Sequence, residues 1–203
     1  MTLRRSRRFA VLVSIPLLAA CGTSPATHFY TLDALPPRGP VPSAAAPLLR
    51  VDQVQVPSVL DRPEWVHEYA PGQLKVDDFS HWGAPLGQLM HATLVEDLAA
   101  RLASGRMVPA AGPRPPGAIG IAVDIVSVGG SPAGMTMTVV WTATVVPPPA
   151  KGQAQVPAPL VTSHTQRLSA PDSAADPAGY AAGLSAMTAD LADDIVAGVA
   201  DGR

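Results

Sequence analysis

The sequence predicts an α+β fold, a mixed and largely antiparallel sheet with two amphipathic helices packed on it. Two stretches repeat large apolar residues at three- and four-residue steps, the spacing of one helix face: Leu86, Leu89, Met90, Leu94, Leu98 and Leu102, then Tyr180, Leu184, Met187, Leu191, Ile195 and Val199. Two others alternate with period two, as a half-buried strand does: Ile119, Ile121, Val123 and Ile125, then Met135, Met137, Val139, Trp141 and Val145, the latter interleaved with Thr136, Thr138, Thr142 and Thr144. The element order, strands–helix–strands–helix, suits helices laid on a largely antiparallel sheet.

The chain opens like an export signal. Arg4, Arg5, Arg7 and Arg8 form a cationic start, Phe9 to Leu18 an apolar stretch broken by Ser14 and Pro16, and Ala19 and Ala20 the small residues a signal peptidase needs. So short a stretch cannot cross a bilayer, which takes about 20 residues. It ends at Cys21, the only cysteine. Leu18-Ala-Ala-Cys21 therefore reads as a lipoprotein acceptor site, with residues 1–20 the signal peptide, 21–27 a lipidated tether and 28–203 one domain. The alternative is an ordinary secretory signal with an incidental cysteine. One acyl chain holds a protein only marginally and two or more hold it stably, so an acylated Cys21 is a firm anchor. Gly22, where an Asp would favour the inner membrane, favours the outer membrane.

After the tether, Phe29–Leu32 reads as a first strand and the five prolines of residues 34–47 as an extended loop. Leu48–Val56 is a strand ended by Pro57. Glu64–Tyr69 and Gln73–Val76 flank Pro71-Gly72 as a hairpin. The first helix starts near Pro85 and stops by Gly105, with His91, Glu96, Asp97 and Arg101 off its apolar stripe. Residues 109–117 form a loop, Gly129-Gly130 turns the long hairpin, 147–159 is a loop rich in Pro and Ala, and Leu160–Leu168 is a weaker strand. Asp176-Pro177 provides the N-cap and first position of the last helix.

Composition narrows the function. Cleavage leaves 183 of the 203 residues, enough for one domain. It also removes four of fourteen basic residues, leaving ten against sixteen acids, a formal net of −6. A mildly acidic body argues against nucleic acid and against electrostatic adhesion to anionic lipid. With Cys21 acylated no disulfide forms, so stability comes from the apolar core.

A search for chemistry finds no catalytic set. There is no nucleophile elbow, P-loop or dinucleotide fingerprint; Gly183-Leu-Ser185-Ala, the nearest to an elbow, lies inside a helix. His28, His67, His81, His91 and His164 lack metal-ligand spacing. Asp77-Asp78 and Asp193-Asp194 read as solvated surface charge, because adjacent residues do not face each other. Trp141 reads as core. Trp65 and Trp82, amid loop-forming residues, read as packing anchors or, alternatively, as contact hot spots. No enzyme, metal or cofactor is expected beyond the lipid on Cys21.

Three segments carry a resemblance: Ser24-Pro-x-x-x-Phe29-Tyr-Thr-Leu32, the run Leu60-Asp61-Arg62-Pro63-Glu64-Trp65-Val66 after a strand, and His81-Trp82-Gly83-Ala84-Pro85-Leu86 opening a long helix. In this order they resemble the ABC-type transport auxiliary lipoprotein family, the PqiC/YmbA-like group, over about residues 28–199. Gly83-Ala84 departs from the Ala-Glu often found there, which puts in doubt any contact made through that carboxylate. The resemblance implies a non-catalytic, periplasm-facing lipoprotein, an outer-membrane accessory to an MCE-domain protein of a lipid transport system; self-association stays open. The residues expected to dock the partner are Leu60, Asp61, Arg62, Pro63, Trp65, Trp82 and Pro85. The competing readings are a carrier that binds lipid in its own cavity and, more distantly, an envelope hydrolase.

Overall fold

Alternating apolar residues need a cover on one side only, and the helices supply it. The computed structural model describes residues 25–39, 47–70, 72–131, 134–145, 160–170 and 176–200. The signal peptide, Cys21, residues 22–24 of the tether and the loop 147–159 lie outside the described residues. The elements run β1 (His28–Tyr30), β2 (Leu49–Gln55), β3 (Glu64–Ala70), β4 (Gln73–Trp82), α1 (Leu86–Arg101), β5 (Ile119–Ser131), β6 (Gly134–Val145), β7 (Leu160–Ala170) and α2 (Pro177–Ala200). No helix among them is long and apolar enough to cross a membrane.

The α+β class and the mixed pairing are as the sequence indicates. The strands, however, divide between two sheets, one ordered β1-β4-β3 and the other β2-β5-β6-β7. In each the first strand joins in parallel, β1 on β4 and β2 on β5, and the remaining pairs are antiparallel. The β5–β6 hairpin is the clearest period-two region, and its inward residues Ile121, Val123, Met137, Val139 and Trp141 are all but sealed from water. A bulge between Ile125 and Ser127 leaves Val126 exposed.

Both helices pack against each other and the four-stranded sheet, α1 over β2 and α2 over β6 and β7. Their stripes, Leu86, Met90, Leu94 and Leu98 with Tyr180, Leu184, Met187, Leu191 and Ile195, share one core with the inward face of that sheet. Asp176 caps α2 as expected, its Oδ1 accepting the Gly179 N–H at 2.8 Å. Helix α1 ends earlier than Gly105, at Arg101 with extended Leu102 as C-cap; Gly105, at φ +78°, belongs to the turn beyond.

Two sequence expectations about charge are corrected. Asp97 and Arg101, placed off the apolar stripe, are buried at 0% and 3% exposure. Asp193, read as solvated, accepts from Arg101 Nε at 2.6 Å. The cause is a second cover on α1. Helix α2 and the segment leading out of β1 both lie against it, with Leu35 donating its N–H to Asp97 Oδ1 at 2.8 Å and accepting from Arg101 Nη1 through its carbonyl at 3.1 Å. The same segment is tied to α2, since the Asp33 N–H reaches Ser185 Oγ at 3.0 Å.

Candidate docking surface

The run from Pro57 to Trp65 leaves β2 and enters β3. The Pro57 carbonyl accepts from the N–H groups of Leu60 at 2.8 Å and Asp61 at 3.1 Å, a tight turn that drives Leu60 into the core and leaves Asp61 outside. Trp65 and Trp82 are buried, as packing anchors are; Trp65 lies on β3, within the strand expected there, and Trp82, expected in a loop, lies at the end of β4. The pairing of β3 with β4 makes the difference, and the Trp82 N–H bonds to the Pro63 carbonyl at 2.7 Å. Both indoles pack on Tyr180 of α2, at 5.7 and 6.3 Å between ring centres, and burial pushes the Tyr180 hydroxyl well above its ordinary pKa. His67 stacks on Trp65 at 4.1 Å; burial, then Lys75, push its imidazole pKa down.

The seven residues expected to dock a partner therefore split. Leu60, Trp65 and Trp82 are inside and hold the segment rigid. Asp61, Arg62, Pro63 and Pro85 are exposed on top of it. Helix α1 has neither a side-chain cap at Pro85 nor an acid in its first turn. Asp61 supplies both from 26 residues away, its Oδ1 accepting the Gly87 N–H at 2.9 Å. Arg62 Nε donates to Glu64 Oε2 at 2.9 Å. The Glu64 carboxyl lies below its usual pKa through its own backbone N–H and then this arginine.

Two further features adjoin this ledge. An open groove of about 480 Å³ runs between β2 and the start of α1, lined by Gln53, Val54, Asp61, Pro85, Gly87, Gln88 and His91. On the outer side of the three-stranded sheet, Glu64 pairs across to His81 and His81 to Phe29, whose rings meet edge-on at 5.8 Å. Sequence reasoning missed Gln53, Gln88, His91 and Phe29 as surface residues of this region. No local spacing marks them, because only the folded chain brings β1 and β2 beside the ledge.

Asp61→Ala is expected to lower stability by about 1 kcal/mol, the usual worth of an N-cap. Asp61→Asn, which keeps an acceptor, is expected to cost little. Arg62→Ala, losing only a solvent-exposed pair, is expected to leave the midpoint nearly unchanged. Denaturant midpoints at constant m-value check all three.

The ledge and groove offer charge, apolar ring and shape for contact. Among the described residues no group of three or more His, Cys, Asp or Glu is placed to hold a metal.

Residues 30–196 match the family model described as ABC-type transport auxiliary lipoprotein component. No curated protein matches the chain. Among solved structures, one titled only as an uncharacterized protein aligns at TM-score 0.59 and 18% identity, covering 86% of this chain and 99% of its own. Protein XCC0632 from Xanthomonas campestris, of the family DUF330, aligns at TM-score 0.55 and 18% identity, covering 86% of this chain and 96% of its own. At this identity the two structures speak for the fold.

Proposed function

The chain belongs to the ABC-type transport auxiliary lipoprotein family, and from that premise we propose that it is a non-catalytic accessory subunit of an MCE-type lipid transport system. In this reading a lipid on Cys21 holds it to the periplasmic face of the outer membrane, and it docks the MCE-domain protein there. The anchor confines the domain to one surface, which raises the effective concentration of a membrane-bound partner with no new contact.

The observation that carries docking is the ledge itself. Three buried side chains, Leu60, Trp65 and Trp82, fix a segment whose exposed residues are Asp61, Arg62 and Pro63, with Pro85 beside them at the rim of an open groove. A pre-organised surface binds without a large ordering cost. Docking is favoured over carrying lipid inside the domain because side chains fill the space between sheet and helices. Met135, Met137, Trp141, Leu184 and Met187 are each no more than 1% exposed there.

Two measurements test the proposal. Cys21→Ala is expected to release the protein from membranes into the soluble periplasmic fraction; retention in the membrane pellet would place the anchor elsewhere. In the acylated protein, Asp61→Asn with Arg62→Ala removes both charges and keeps the acceptor for α1. Co-purification of the MCE-domain protein is expected to fall severalfold at unchanged thermal stability. Undiminished co-purification would remove the ledge from the interface.

A further inference from the structure

The groove beside the ledge is walled by hydrogen-bond acceptors. Its volume of about 480 Å³ lies between Gln53 and Val54 of β2, Asp61, and Gly87, Gln88 and His91 on the first turns of α1. Gly87 puts no side chain into it. A Cβ there would lie 3.5 Å from Asp61 Oδ1 and 3.6 Å from the Val54 carbonyl oxygen. A group seated over Gly87 therefore meets a carboxylate and a carbonyl together. Asp61 Oδ1 already accepts the Gly87 N–H, which answers the positive end of α1. A carboxylate has acceptor capacity for several donors, so Oδ2 is left to an incoming one.

The rest of the lining has the same bias. His91 Nε2 lies 3.4 Å from the Val51 carbonyl. A carbonyl can only accept, so the proton sits on Nε2 and the neutral ring keeps an acceptor at Nδ1. The Gln53 and Gln88 amides are exposed and can present either end. No lysine or arginine is among the described residues that line the groove. Arg62, next in sequence to Asp61, has its Nε on Glu64 Oε2 at 2.9 Å. An excess of acceptors around a carboxylate with no cation of its own calls for a donor-rich cation, and a guanidinium carries five N–H donors and no acceptor.

We propose that the groove seats an arginine side chain of the partner, its guanidinium over Gly87 between Asp61 and the Val54 carbonyl. Charge-assisted hydrogen bonds to a carboxylate are the stronger kind, and arginines set in pockets are among the residues that dominate interface energy. The ledge beside the groove then frames the contact and the groove supplies its anchor point. The inference rests on the docking reading above and goes further by naming the chemistry the partner brings; the test keeps the two apart.

The test sets charges in the groove walls. The acylated full-length protein, held in lipid nanodiscs, is titrated with the MCE-domain protein. Gln88→Lys and, from the β2 wall, Gln53→Lys are expected to weaken binding about tenfold, because each places a like charge beside the incoming cation. Gln88→Glu is expected to hold the affinity or tighten it severalfold. Ala99→Lys and Ala99→Glu are the controls and are expected to change nothing; Ala99 is exposed on α1, about 16 Å along the helix from Gln88 and beyond the screening length at physiological salt. Thermal midpoints show that each variant is folded, and two lysine positions on separate elements serve where one disturbs the fold. Equal losses from lysine and glutamate at 88 overturn the arginine, since bulk alone then obstructs the groove. Tightening by lysine overturns it as well, because the occupant is then anionic. No change at 53 or 88 removes the groove from the interface and leaves the ledge standing. Effects at 99 equal to those at 88 overturn it in favour of the field of the whole domain. If the unaltered protein does not bind the MCE-domain protein, the docking reading falls and this inference with it.

Discussion

Arg101→Met is expected to cost about 3–5 kcal/mol, the loss seen when one partner of a buried ion pair is removed, out of a total near 5–15 kcal/mol for a domain. The guanidinium is 3% exposed and fully engaged. Nη1 donates to the Asp97 carbonyl at 3.0 Å, to Asp97 Oδ1 at 3.2 Å and to the Leu35 carbonyl; Nε and Nη2 fork onto the Asp193 carboxylate at 2.6 and 3.4 Å. One side chain thus joins α1, α2 and the segment after β1. Without it, Asp97 keeps a charge at 0% exposure with only the Leu35 N–H to hold it. Burial already raises the Asp97 pKa, with the Leu35 N–H and Arg101 pulling the other way; removing Arg101 raises it further. A carboxyl whose folded pKa lies above its unfolded value contributes stability that is complete below the unfolded pKa, about 3.9, and is lost as pH rises through the folded value. The deficit of Arg101→Met is therefore expected to shrink on acidification from pH 7, and the double variant with Asp97→Asn to recover part of it at neutral pH. Denaturant midpoints at two pH values decide the matter; a pH-independent deficit would mean the loss is packing alone.

The same network shows where the sequence stops being informative. Its i,i+4 spacing is visible in residues 97 and 101, but periodicity marks only the widest apolar stripe, and these two sit on a flank. What buries them is a loop some sixty residues earlier and a helix some ninety later, and no local pattern encodes that. The β5–β6 hairpin was legible because most inward residues are large and most outward ones small or polar, so the period survives without knowledge of neighbours. Trp82 was not legible as a strand residue: the glycine, proline and histidine around it signal a turn, and the strand reaches it because β3 and β4 pair around a bulge between Glu64 and Val66. β4 runs to Trp82 rather than stopping near Val76 for the same reason, since Asp77-Asp78 breaks the alternation while the backbone stays extended. Of the candidate docking surface, the Leu60–Trp65 run was found by its resemblance to a family pattern, and the structure sorts it into buried pins and exposed side chains. Phe29 escaped notice, because a three-residue strand is too short for alternation to say which face is wet.

Trp141→Ala is expected to cost about 3–5 kcal/mol, the range for removing a large aromatic from a core that cannot collapse. The indole is 1% exposed and held on two sides. His164, its partner across β6 and β7, stacks on it at 4.0 Å and 11° between planes. Gly198 of α2 passes so close that a Cβ there would lie 2.9 Å from ring atom Cη2. Trp141 Nε1 has no hydrogen-bond partner among the described residues, so the truncation orphans no donor or acceptor and the loss is cavity and lost contact. Gly198→Ala tests the same contact from the helix side. Alanine would ordinarily gain about 1 kcal/mol over glycine in a helix, yet here the methyl meets a buried ring with no room to turn, and overpacking of about 1–3 kcal/mol is expected to outweigh the gain. The two sites are in direct contact, so their effects are not expected to add: in the Trp141→Ala background Gly198→Ala becomes neutral or stabilising, a coupling of about 0.5–3 kcal/mol. Thermal or denaturant unfolding of the four members of this cycle measures it. Additive losses would mean that α2 moves to accommodate the methyl, and that the glycine is there for some reason other than the indole it lies against.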